Sequence, residues 1–154
     1  MIEVWRICSR RHARDAFSGS GARLYGGRWN PPGVALVYTA GSLSLAALEL
    51  FVHLDPADLP PDLVAISATI PDGVAVETIA MDSLPPRWRE YPAPPATQEI
   101  GKQWASRGET AVLSVPSAVI PQERNLLLNP AHPRFSRVQV HRPERFRLDP
   151  RMRR

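Results

Sequence analysis

Cysteine is nearly missing from this sequence. Cys8 stands alone, so no internal disulfide can form, and a lone thiol fits a reducing compartment. Also missing is any stretch near the roughly 20 apolar residues that a membrane helix needs; Glu49 and His53 interrupt the best candidate. The opening "MIEVWRICSRR" has no apolar core of the kind a signal peptide carries. The expectation is a cytoplasmic protein without membrane contact. His12, His53, His132 and His141 show no metal-ligand spacing, so no metal is expected. There is no P-loop, no dinucleotide glycine fingerprint and no G-x-S-x-G.

Proline, by contrast, is abundant: 17 in 154 residues, about twice the usual share. Proline interrupts helices and central strands, so short elements joined by rigid turns are expected, not a long bundle. No repeat or linker divides the chain, and its length suits one domain with a real core. The net charge is +4, almost all the cations being arginine. Such a surface suits nucleic acid, an anionic small molecule, an acidic protein or simply water. The segment 143–154 holds much of the excess and reads as an exposed basic tail.

The pattern gives mixed α and β with strands dominant. "VWRIC" (4–8) and the apolar run "VALVYTA" (34–40) read as strands. Between them, the glycine- and proline-dense "SGSGARLYGGRWNPPG" reads as an ordered loop. Ser42 is a good cap for a helix to about Leu54, with Pro56 as its stop. "LVAISATIP" and "VAVETIA" suggest two strands around the turn "PDG", and "PPRWREYPAPP" a surface connection. "TQEIGKQWASRG" reads as a helix capped by Thr97 and closed by Gly108. "AVLSVPSAVIP" suggests a strand broken at Pro116 and resumed, and "FSRVQVHRP" a last strand. Turn and capping duties account for Asn125, Asn129 and His132.

Glu49 is the odd residue. Positions 42, 46, 49 and 53 share one helix face, reading Ser, Ala, Glu, His, while the rest of that helix is apolar. A stripe of this kind either pairs inside the fold, with an arginine or with His53, or walls a pocket. In "GGRWNPPG" the glycines permit close backbone approach and the prolines stiffen the end of the loop, so Arg28 can be held in one orientation. Its guanidinium is suited to phosphate; alternatively it packs on Trp29 or pairs with Glu49. Ser117, between prolines, reads as a binding hydroxyl and not an acyl nucleophile.

Together, "VWRI", "GARLYGGRWNPPGVALVYTAGSLSLAALE", "VLSVPSAVIPQERNLLLNP" and "HPRFSRVQV" resemble the RES domain family, named for a shared arginine, glutamate and serine. In the long block the arginine, tyrosine and glutamate stand 10 and 11 residues apart. The resemblance covers most of the chain but not about 71–95. It implies a single domain over 1–154 and an α+β fold, a compact mixed β-sheet core with short flanking helices, similar to ADP-ribosyltransferases. It implies a toxin that degrades NAD by phosphorolysis or hydrolysis of the nicotinamide–ribose bond. NAD is then substrate, inorganic phosphate a possible co-substrate, and no cofactor is needed. The implied catalytic residues are Glu49 and Arg28, and the implied substrate-binding residues Arg6, Asn30, Tyr38 and Ser117. The implied partner is an Xre-like antitoxin that blocks the pocket. Three other readings stay open: transfer of ADP-ribose to a protein, a pure interaction protein whose pocket is filled only by a partner's tail, and a basic nucleic-acid-binding module. Against the last, Trp5, Trp29, Trp88 and Trp104 are scattered instead of interleaved with arginines.

Overall fold

The computed structural model describes residues 1–55 and 58–152. Eight strands form one mixed sheet: β1 Ile2–Ser9, β2 Val37–Ala40, β3 Leu63–Ile70, β4 Val76–Thr78, β5 Val112–Pro116, β6 Arg124–Leu128, β7 Gln139–Val140 and β8 Glu144–Arg145. Three helices flank it: α1 Ser20–Tyr25, α2 Leu43–His53 and α3 Pro95–Arg107. The architecture is α+β with a mixed-sheet core, as expected. The strand order is β4-β5-β6-β2-β1-β3-β7, with β8 also on β3. Among the described residues only β4 and β5 pair in parallel.

Alternation builds the core on both faces of the sheet. Val112, Leu126 and Leu128 join Val4, Val64, Ile66 and Ile70 on one side. Leu113, Val115 and Leu127 join Trp29, Trp88 and Trp104 on the other. Fully burying one such side chain contributes about 1.5–3 kcal/mol.

The ladder is uneven, and that unevenness positions the site. β1 pairs with β3 at eight successive positions, but with β2 only at Trp5↔Ala40. Beyond that bridge the two strands part. The same register would set Ile7 opposite Tyr38; instead the Arg6 Nη1 donates to the Tyr38 carbonyl at 3.0 Å.

β3 and β4 are not a hairpin. They lie five strand spacings apart along the path, about 24 Å if flat. The six steps from Ile70 to Val76 reach at most about 22 Å, and the turn closed by Val74 N–H on the Pro71 carbonyl shortens them. The sheet is therefore curved.

Other elements also depart from the sequence reading. The ordered loop contains α1, because Arg23 and Gly26 N–H groups bond the Gly19 and Ala22 carbonyls. β2 is shorter than "VALVYTA": the Val34 carbonyl accepts from the Asn30 side chain and is taken away from a ladder. The strand does not resume after Pro116, since the chain turns at Ser117 and returns as β6, a central strand that the sequence reading does not assign. α3 starts after Pro94, not Thr97, whose hydroxyl donates to the Pro94 carbonyl; Gly108 closes it as expected. "FSRVQVHRP" begins in a 3-10 turn, Pro133–Arg137, and within it only Gln139–Val140 is strand. α2 keeps its Ser42 cap, whose Oγ accepts from Leu45 N–H at 3.1 Å. It is less buried than its composition suggests, with only Leu45 and Ala46 fully covered. Its expected stop, Pro56, lies outside the described residues.

The segment from 143 is docked. Arg145 and Glu144 pair with Val64 and Ala65 and Leu148 is buried, while Arg145, Arg147 and Arg151 remain exposed. No helix among the described residues is long and apolar enough to cross a membrane.

Candidate active site

Where β1 and β2 part, a cavity of about 210 Å³ opens between them and α2. Ala46, Glu49 and His53, the stripe read from the sequence, wall it on one side, and Trp5, Arg6 and Tyr38 on the other. The polar face of α2 thus borders a hollow.

Glu49 is held by neutral donors. Asn125 Nδ2 donates to both carboxylate oxygens, at 2.7 and 3.0 Å, and Ser117 Oγ donates to Oε1 at 2.9 Å. Ser117 Oγ also accepts from Val119 and Ile120 N–H. With its lone pairs engaged by those amides, its proton is directed at Glu49. Among the described residues neither an arginine nor His53 pairs with this carboxylate, which removes the alternative of an internal pair with Arg28 or His53. Burial pushes the Glu49 pKa up, and the bonds from Asn125 and Ser117 pull only part of the way back. The result is a fixed carboxylate whose charge is not cancelled, open to a cavity.

Arg28 is held differently. Its Nη1 donates to the Trp88 carbonyl at 2.7 Å and to that of Glu90 at 2.9 Å. Both protons of that nitrogen are engaged, leaving Nη2 and Nε for another acceptor. Burial lowers its pKa, the Tyr38 hydroxyl opposing and Arg89 adding. Arg28 does not line the cavity; Tyr38 does, and its hydroxyl is within the influence of Arg28. The arginine that lines the cavity is Arg6. Burial depresses its pKa too, and its Nε is buried without a hydrogen-bond partner.

The loop Gly27–Asn30 is a framework. Gly27 and Asn30 bridge each other, and a side chain at Gly27 would stand 2.7 Å from the Tyr38 hydroxyl. Glycine there lets that hydroxyl accept from Trp29 N–H at 2.9 Å and donate to Asn30 Oδ1 at 2.5 Å. Burial holds Tyr38 neutral by raising its pKa. Behind the loop, a Cβ on Gly101 of α3 would lie 1.7 Å from the Trp29 carbonyl, so only glycine admits this contact.

Two expected binding residues therefore change role. Asn30 is fully buried and its amide donates to the carbonyls of Ala22, Pro31 and Val34, so it shapes the loop and does not face a ligand. Ser117 is also fully buried and orients Glu49. Asn125, given only turn duty by the sequence, is the main anchor of the acid. Nothing in its local pattern marks it, because the partner lies 76 positions away. Asn129 and His132 do serve turns, accepting from Ala131 and Arg134 N–H. A second hollow of about 220 Å³ runs between Gly73 and His132, but its charged lining, Glu109 and Arg134, is solvent-exposed.

The RES domain family model matches residues 3–149. The chain belongs to the RES domain family. Its relatives include the Prs ADP-ribosylating toxin of Sphingobium sp. (strain YBL2), 42% identical over 152 residues, covering 96% of this chain and 94% of the relative. Toxin Res of Yersinia enterocolitica is 37% identical over 150 residues, covering 97% and 98%. This RES chain is thus one of a family of toxins. Among solved structures, it is similar to a chain of the Mycobacterium tuberculosis MbcT–MbcA toxin–antitoxin complex. The TM-score is 0.78 at 21% identity, over 94% of this chain and 84% of that one. That likeness extends the RES fold assignment to a solved structure.

Proposed function

We propose that this RES-family toxin cleaves the nicotinamide–ribose bond of NAD in the cleft between β1, β2 and α2. The observation that carries the reading is Glu49: a carboxylate fixed by Asn125 and Ser117, ion-paired with no cation among the described residues, at a cavity that Arg6 and Tyr38 also line. Leaving such a charge uncancelled costs stability, and it becomes useful where positive charge develops.

Departure of nicotinamide creates that charge. The electron pair of the C1′–N bond passes to the pyridinium nitrogen, so nicotinamide leaves neutral and needs no proton. The ribose becomes oxocarbenium-like, as in glycoside hydrolysis. Glu49 stabilises the cation as it forms, an interaction stronger in the transition state than in the ground state. An oxygen of phosphate or water then bonds C1′; with water, the released proton goes to solvent. Arg6 supplies positive charge for the diphosphate or the incoming phosphate, with the free nitrogens of Arg28 beyond Tyr38. The Tyr38 ring face lies against the substrate, since its hydroxyl is already bonded on both sides.

A second reading has specific support. The relative at 42% identity is named an ADP-ribosylating toxin, so a protein nucleophile at C1′ is the alternative acceptor. The cavity opens on a half-exposed helix and does not exclude a protein side chain. The MbcT chain was solved with an antitoxin, and an antitoxin covering this cleft, of the Xre-like kind, is the partner we propose. Incubating the protein with NAD, with and without phosphate, and resolving the products by mass spectrometry tests the reading. Free nicotinamide with ADP-ribose or its phosphate supports it. Nicotinamide with all ADP-ribose attached to protein favours the alternative, and intact NAD contradicts both.

A further inference from the structure

The segment from Trp88 to Tyr91 is pinned from several sides, yet its last side chain packs on almost nothing. Trp88 is buried, its ring 6.3 Å from that of Trp29. Arg28 holds the Trp88 and Glu90 carbonyls. Arg89 Nε donates to the Ala118 carbonyl at 2.9 Å, tying the segment to the turn that carries Ser117. Arg87 pairs with Glu90 at 2.6 Å. Tyr91 nevertheless remains 80% exposed, and its ring lies 6.1 Å from that of His53 at an angle of 51°. His53 lines the cavity, so Tyr91 stands at its mouth. A single exposed aromatic is ordinary; one carried on a backbone fixed by the site's own residues is not. Such a ring has little freedom left to lose on stacking.

We propose that Tyr91 is a binding residue that stacks on the adenine end of the substrate at the mouth of the cleft. The inference rests on the NAD reading above. Distance selects the adenine end. His53 is one helical turn from Glu49, a rise of about 6 Å, and the Tyr91 ring lies a further 6.1 Å from His53. Nicotinamide is bonded to the reacting carbon and stays near Glu49, whereas adenine is at the far end of the dinucleotide. Arg28 is in this arrangement also a positioning residue for Tyr91.

Titration calorimetry of the full chain with NAD, ADP-ribose and nicotinamide mononucleotide tests the proposal, using the parent, Tyr91→Ala and Tyr91→Phe. Tyr91→Ala should weaken NAD and ADP-ribose about tenfold, leave nicotinamide mononucleotide unchanged, and raise KM for NAD with kcat unaltered; Tyr91→Phe should behave as the parent. Unchanged affinity in Tyr91→Ala, an equal loss in Tyr91→Phe, or a loss confined to nicotinamide mononucleotide would overturn it. If the parent binds NAD without consuming it, the reaction reading fails while the Tyr91 comparison is still read from Kd. If the parent binds none of the three ligands, both fail.

Discussion

Glu49 and Arg28 stand 21 positions apart, and the fold holds them with opposite kinds of partner. The acid takes neutral side-chain donors, Asn125 on β6 and Ser117 on the turn before it, both set by the central strands. The guanidinium takes backbone carbonyls of a proline-rich connection that belongs to no strand. The acid end is therefore set by the sheet, with the Arg89 bond to the Ala118 carbonyl as its link to the 88–91 segment, while the arginine end is only as well placed as that segment. An internal ion pair would have been the simpler way to bury both charges. Its absence leaves the carboxylate field directed at the cavity.

Substitutions that damage one end and spare the other sharpen this contrast. The largest effect should come from Glu49→Gln, which keeps the shape and removes the charge. NAD turnover should fall about 10²–10³-fold with the circular dichroism spectrum unchanged. Gly101→Ala attacks the arginine end from behind. With its Cβ only 1.7 Å from the Trp29 carbonyl, it should cost about 3 kcal/mol, the upper range for overpacking, measurable by urea denaturation. Asn125→Ala removes both amide bonds to Glu49, and hydrogen bonds to charged groups contribute about 1.5–3 kcal/mol. Turnover should drop about tenfold or more, with KM nearly unmoved, because the acid and not the grip is disturbed. Arg28→Ala should show the reverse split: KM raised severalfold, and faster amide exchange confined to 88–91.

The smallest effect is on pH. Burial raises the Glu49 pKa above its ordinary 4.5, so the folded state holds a proton there that the unfolded chain has released. Stability from this residue is fully present below 4.5 and is lost as pH rises through the raised folded value. Denaturation of the parent across that window should show this decline, and Glu49→Gln should lack it. The acidic limb of the turnover profile should likewise lie above 4.5.

Legibility in the sequence differs between the two ends. The α2 stripe comes from helical spacing alone, since Ala46, Glu49 and His53 do line the cavity. The residues that hold Glu49 do not come from it. Asn125 sits before three leucines, a weak strand signal, and only the pairing of β6 with β2 and β5 brings it to the acid. A central strand without β-branched residues looks like a turn with apolar neighbours, which hides both β6 and the role of Asn125. Asn30 shows the converse. The family resemblance implies its contact with substrate, whereas buried carbonyls take all its donors. The prolines around Trp88 suggest a surface connection, but the Arg28 side chain that ties it down lies 60 positions away. Local pattern reveals which face of an element is polar, and tertiary contact decides whether that face meets framework or cavity.

The most direct test follows free nicotinamide by proton NMR while the parent and Glu49→Gln are each incubated with NAD. The account predicts steady release by the parent and almost none by a variant of unchanged fold and NAD affinity. Equal release by the two proteins would contradict it, as would a parent that leaves NAD intact.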